Sequence, residues 1–179
     1  LTLHHIPGNG RVRLNQDFTF DRFVVGQCNE FAYSASRALA HGSPVDYQRL
    51  LMLANTGLGK SHLTHAIAHT ILQENPRSRL YYMTAEDFTN EMIRAFRNDA
   101  FEAFKLKYRN QCDVLLLEDV HYLTGKNRTQ VELALTLDTL FDANKKIIFS
   151  SCYLPGDIPK LNEKLRSRLS SGLISAMEA

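Results

Sequence analysis

The 179-residue sequence has no tryptophan, only three cysteines and a formal net charge of only +2. Cys28, Cys112 and Cys152 are scattered, odd in number and without metal-ligand spacing, which argues against a disulfide framework or a cysteine metal site. Such usage fits a reducing cytoplasm. No apolar run approaches the roughly 18 residues that a membrane span needs, and the N-terminus lacks a signal-peptide pattern. Near charge balance excludes a globally basic surface, so any nucleic-acid contact must come from local patches. Internal repeats and low-complexity segments are absent as well. The chain opens on Leu1 rather than methionine, and the expectation is a piece of a longer protein.

What is present, 44% hydrophobic and 22% charged residues, suits one globular domain, of a length that buries about 70% of its unfolded surface. Residues 1–13, with PGNG and little apolar periodicity, read as a linker or N-terminal arm, and 14–179 as the core. Helical patterns over about 29–40, 60–73, 86–109 (broken near Asn98), 129–143 and 161–169 alternate with short apolar runs. Those runs are RLLMLA, RLYYMT, DVLLLEDV, KKIIFSS and GLISAM. The alternation predicts an α/β fold, a mostly parallel five-stranded sheet between two helical layers.

Residues 54–61, ANTGLGKS, match the phosphate-loop pattern G-x-x-x-x-G-K-S/T everywhere except at Ala54. Gly57 and Gly59 allow backbone conformations that aim successive N–H groups at phosphate oxygens. Lys60 supplies a cation for the β- and γ-phosphates, Ser61 a hydroxyl for Mg²⁺, and the following helix its positive end. Residue 54 only turns the chain out of the strand, a task open to alanine at negative φ. Glu118 and Asp119 close the leucine-rich run LLLEDV, at the carboxyl end of a strand where ligands of open α/β sheets sit. One acid would hold Mg²⁺ and its neighbour could orient an attacking water.

Together with FTFDRFVVGQCNEFA, FTNEMIRAF, FKLKYRNQCDVLLLEDVHYL, GKNRTQVE and LRSRLSSGL, these motifs resemble the DnaA-type chromosomal replication initiators of the AAA+ ATPases. The likeness runs from about Leu14 to Ile174. It implies a P-loop NTPase core with an initiator-type helical insertion at about 86–109. It also implies ATP or ADP with Mg²⁺ as ligands and slow ATP hydrolysis as a switch. Val25 and Asn29 would lie near the adenine, and Thr56, Gly57, Leu58, Gly59, Lys60, Ser61 and His62 around the phosphates. Ser61 and Glu118 would hold the metal, with Glu118 and Asp119 as the catalytic acids. Arg168 would be the arginine finger offered to a neighbouring subunit in head-to-tail self-association. Ile93, Lys126, Arg128 and Thr129 match the family's contacts to single-stranded DNA. The resemblance further implies cytoplasmic, nucleoid-associated action with partners such as the replicative helicase. The helical lid and the duplex-reading domain would lie outside this chain.

Three positions depart from the family. Glu118 replaces an aspartate, Cys152 in SSCYLP replaces the aspartate of a serine-serine-aspartate-arginine run, and SRLSSGL lacks aromatic residues. They bear on hydrolysis more than on binding. Two other readings stay open: a nucleotide-binding adaptor without efficient hydrolysis, and a helicase-loading ATPase, which would lack the insertion. His62, His65 and His69 are spaced along one helix, but without the glutamate of a zinc peptidase they do not read as a metal site. Tyr81, Tyr82, Phe88, Phe96, Phe101 and Phe104 read as packing residues.

Overall fold

A computed structural model of the protein describes residues 14–42 and 47–178. The arm expected over 1–13 lies outside the described residues. Five strands, β1 (Arg49–Leu53), β2 (Leu80–Thr84), β3 (Val114–Glu118), β4 (Lys146–Ser151) and β5 (Leu173–Ala176), form one sheet in the order β2-β3-β4-β1-β5. Every pairing is parallel, one step beyond the mostly parallel sheet expected. Such strands are covered on both faces, which explains why LLML and VLLL are continuous apolar runs rather than alternating ones.

Side chains still alternate between two cores. Leu51, Leu115, Leu117, Ile147 and Phe149 face one layer, and Leu50, Met52, Leu116 and Ile148 face the other. The second face carries α1 (Glu30–Ala40) and α2 (Lys60–Glu74). The first carries α3 (Ala85–Arg97), α4 (Phe101–Asn110), α5 (Asn127–Asp142) and α6 (Glu163–Leu169). No helix among the described residues is long and apolar enough to cross a membrane.

The insertion is the helix pair α3–α4 between β2 and β3. Thr84 starts α3 with a capping box: its hydroxyl accepts from the Asp87 N–H at 3.0 Å while the Asp87 carboxylate accepts from the Thr84 N–H at 3.3 Å. The break falls at residues 98–100, where Asp99 takes a positive φ of 51°. Phe88, Phe104 and Tyr108 pack beneath the pair, and Glu91 holds it together, accepting from Tyr108 at 2.6 Å and Lys107 at 2.5 Å. Arg109 reaches Glu132 at 2.5 Å and so ties α4 to α5. The insertion is therefore part of the core rather than an appendage.

Candidate functional site

The parallel order brings the carboxyl ends of β1, β3 and β4 side by side, because β4 lies between the other two. Leu53 is in register with Ser151, and Thr84 with Glu118. The glycine loop after β1, the acidic pair after β3 and Cys152 after β4 therefore share one edge of the sheet.

Gly57 and Gly59 both take positive φ, 89° and 97°. At Gly59 a Cβ would also come within 2.8 Å of the Phe23 ring, so conformation and space both demand glycine. Ala54 is buried, donates its N–H to Ser151 at 3.1 Å and is not among the residues of positive φ. Its departure from the motif is thus without conformational cost. The Lys60 ammonium is folded over the loop, donating to the carbonyls of Ala54 at 2.5 Å and Asn55 at 2.9 Å, with the Cys152 sulfur 3.9 Å away.

Ser61 donates its hydroxyl to Glu118 Oε2 at 3.2 Å, and Tyr82 donates to the same oxygen at 2.8 Å. Glu118 is 6% exposed, and its Oε1 is buried without a partner. Burial, reinforced by the charge of Asp119, raises its pKa, while the hydrogen bonds from Tyr82 and Ser61 pull the other way. A hydroxyl beside a carboxylate with one uncommitted oxygen suits a hard divalent cation. Asp119 adopts the left-handed conformation (φ 56°, ψ 48°), with its N–H held by the Ser150 hydroxyl at 3.1 Å. Strained backbone of this kind persists where surrounding contacts over-determine it. Tyr82, read from the sequence as packing, thus belongs to the site. Ser150 was not foreseen either.

Asn29 is spent on its own loop: it accepts from the Gly26 N–H at 2.8 Å and donates to the Val24 carbonyl at 3.0 Å. That shape leaves Val24 and Val25 exposed beside Phe23, which lies against Gly59. His62 bonds the Thr19 carbonyl at 2.7 Å and stacks on Phe18. His65 accepts from the Asn15 N–H, and His69 bonds the Asn15 carbonyl, both at 2.8 Å. The three histidines therefore clamp the segment entering the core onto α2.

His65 carries a consequence for pH. Burial, then the neighbouring His69 and His62, lower its pKa from 6.5 to about 4. Between those values the unfolded chain binds more protons than the folded one, so stability falls as pH drops from 6.5 towards 4. Thermal melts across that window should show Tm declining in the wild type and declining less in His65→Gln. Equal slopes would remove His65 as the source.

The residues expected at a DNA strand lie on the opposite helical layer. Ile93 is 38% exposed on α3, and Lys126 and Arg128 are exposed at the start of α5. Arg128 and Met92, the neighbour of Ile93, line one cavity of about 360 Å³, so both helices border a common surface. Thr129 departs from this set, being only 3% exposed, which leaves little side chain for a strand to touch. What it does offer is a backbone N–H in the first helical turn, where such groups lack intrahelical acceptors. Gln130 was unforeseen: wholly buried, it donates to the carbonyls of Leu123 and Lys160 and accepts from Asn162, joining this loop to α6. Arg168, on α6, pairs with Asp138, which also takes Lys164 at 2.8 Å. Its side chain keeps 33% exposure.

Comparison with known proteins gives a consistent picture. The family described as the bacterial DnaA ATPase domain matches residues 14–176. The chain is 56% identical over 173 residues to the chromosomal replication initiator protein DnaA of Desulfatibacillum aliphaticivorans, covering 97% of this chain and 38% of that protein. It thus spans well under half the length of that relative. Among solved structures, domain III of the Thermotoga maritima replication initiation protein DnaA superposes with a TM-score of 0.89 at 37% identity, over 93% of this chain and 69% of the other. A replication initiator DnaA bound to AMPPCP and single-stranded DNA matches with a TM-score of 0.84 at 29% identity, over 93% and 51%.

Proposed function

The chain belongs to the bacterial DnaA ATPase-domain family, and from that premise we propose that it is the nucleotide-binding core of a chromosomal replication initiator. It binds ATP or ADP with Mg²⁺, self-associates head to tail through Arg168, and holds single-stranded origin DNA. The observation that carries this reading is the meeting of two distant motifs: Ser61 of the glycine loop hydrogen-bonds Glu118 at the end of β3, directly beneath the loop that Lys60 covers.

The chemistry follows from these groups. The N–H groups of Gly57 to Ser61 and the start of α2 receive phosphate oxygens, and Lys60 leaves the loop carbonyls for the phosphates. Ser61 and Glu118 would hold the Mg²⁺, which would supply positive charge against the phosphates. Asp119 faces the same edge and orients the attacking water. Val25, on the loop shaped by Asn29, supplies apolar surface for the base. An arginine from the next subunit completes the site, so turnover depends on assembly. The setting is the cytoplasm, at the nucleoid, with the replicative helicase among the partners of the full-length protein.

Lys126, Arg128 and the amide of Thr129 would bind the strand's phosphates and Ile93 its sugars or bases. Lys126→Ala and Arg128→Ala should each weaken single-stranded DNA binding across sequences and reduce the log–log salt slope by about 0.7. A salt titration of oligonucleotide anisotropy measures it; unchanged slopes in both would remove the assignment.

A second reading, a nucleotide-binding adaptor with little hydrolysis, is favoured by the Cys152 sulfur near Lys60, since a thiol is a weak hydrogen-bond partner. The 56% identity to a DnaA initiator over 97% of this chain speaks against a helicase loader. ATP turnover measured with and without single-stranded DNA separates the readings: a switching ATPase turns over and responds to DNA, whereas an adaptor does neither.

A further inference from the structure

The two oxygens of the Glu118 carboxylate are treated unequally. Oε2 accepts from Tyr82 at 2.8 Å and from Ser61 at 3.2 Å, whereas Oε1 is buried without a partner. A buried acceptor left unpaired is costly, so each such group in a folded protein calls for an explanation such as a bound ion. Glutamate also carries one more rotatable bond than aspartate and needs more restraint to aim an oxygen. Tyr82 is built to supply that restraint. It stands on β2 two residues before Thr84, the register partner of Glu118, so its side chain lies on the same face of the sheet as Glu118. Its ring is 7% exposed and is held edge-on against His65 of α2, with centroids 4.6 Å apart.

We propose that Tyr82 is a positioning residue for the metal-holding carboxylate: by engaging Oε2 it directs Oε1 towards the cation that accompanies the nucleotide. The role rests on the nucleotide reading given above. Ser61 cannot substitute, because its hydroxyl is itself required by the cation. Thr64, one turn along α2, also lies near enough to the carboxylate to help hold its pKa down, but its hydroxyl donates to the Lys60 carbonyl at 3.0 Å. Tyr82 is therefore the donor that stays on Oε2 when Ser61 turns to the metal. Partners of this outer kind orient ligands and tune metal affinity.

The test is a Mg²⁺ titration of nucleotide binding to the intact chain, read by a fluorescent ATP analogue, alongside ADP binding in EDTA. Tyr82→Phe keeps the ring against His65 and removes only the O–H. It should raise the Mg²⁺ concentration for half-maximal tightening of the ATP analogue by about 10-fold or more, with Mg²⁺-free ADP affinity changed by less than about 2-fold. Glu118→Asp, which shortens the carboxylate by about 1.5 Å, should show a similar Mg²⁺ defect alone. In that background Tyr82→Phe should add little, because the hydrogen bond is already lost. An unchanged Mg²⁺ midpoint, or an equal loss of ADP and ATP affinity, would overturn the proposal. Wild-type protein that bound neither nucleotide at any Mg²⁺ concentration would overturn the nucleotide reading itself, and the role of Tyr82 with it.

Discussion

Lys60→Ala is expected to weaken ATP binding by about 10²–10⁴-fold. The figure follows from two charge-assisted contacts to phosphate of about 1.5–3 kcal/mol each, with about 1.4 kcal/mol for every factor of ten. The structure explains why so little of this loss can be recovered by neighbours. Lys60 is only 7% exposed, and the nearest polar partners of its ammonium are the carbonyls of Ala54 and Asn55. Carbonyls repel phosphate oxygens, so removing the cation leaves a loop whose remaining attraction comes from N–H groups and the start of α2 alone. The fold should survive, since the core beneath the loop is built from Leu50, Met52, Leu63 and Ile67, none of which contacts solvent appreciably. Isothermal titration with ATP, paired with a thermal melt, measures both. Retained affinity within about 3-fold, well under the smallest loss expected from these contacts, would mean that nucleotide binds elsewhere.

Arg168→Ala is expected to leave nucleotide binding to the monomer intact while abolishing ATP-dependent assembly. Turnover at concentrations where the wild type assembles should fall by about 10³–10⁵-fold, the range for arginine fingers in phosphoryl transfer. Arg168 sits on α6, and its pairing with Asp138 of α5 holds it partly exposed on the first helical layer. The glycine loop stands at the start of α2, on the other face of the sheet. That placement on the other helical layer supports the proposed offer of Arg168 to a neighbouring molecule in head-to-tail association. Sedimentation with ATP and with ADP, followed by turnover at concentrations spanning assembly, provides the check. Weakened ATP affinity in dilute monomer would show that Arg168 serves its own site instead.

The motifs that were legible in advance are those whose chemistry is local. A glycine loop needs residues of positive φ at fixed offsets from a lysine and a serine, and neighbours in sequence provide all of it. The strands were legible for a related reason, because parallel strands covered on both faces must be apolar throughout. The break between α3 and α4 also announced itself, in the polar residues Asn98 and Asp99. Ala54 was an apparent flaw in the motif, and the negative φ and buried position there remove it as an objection.

Other features depended on which strands become neighbours. Thirty-six positions separate Tyr82 from Glu118 and fifty-seven separate Ser61 from it, yet all three meet at one carboxylate. Nothing in RLYYMT distinguishes Tyr82 from Tyr81; alternation along β2 sends Tyr81 into the core beneath α3 and α4 and Tyr82 into the core that carries α2. Thr129 was placed at the DNA strand by its match to the family, but the helical turn brings its side chain inward, leaving it 3% exposed. Gln130, the next residue, is wholly buried to satisfy the carbonyls of Leu123 and Lys160. The sequence by itself determined the phosphate loop, the layered α/β class and the order of the elements along the chain, since each is written in local spacing and periodicity. Only the tertiary structure decided which oxygen of Glu118 stays free, which tyrosine holds the other and that Arg168 pairs with Asp138, because those depend on pairings between strands and helices that are distant in the chain.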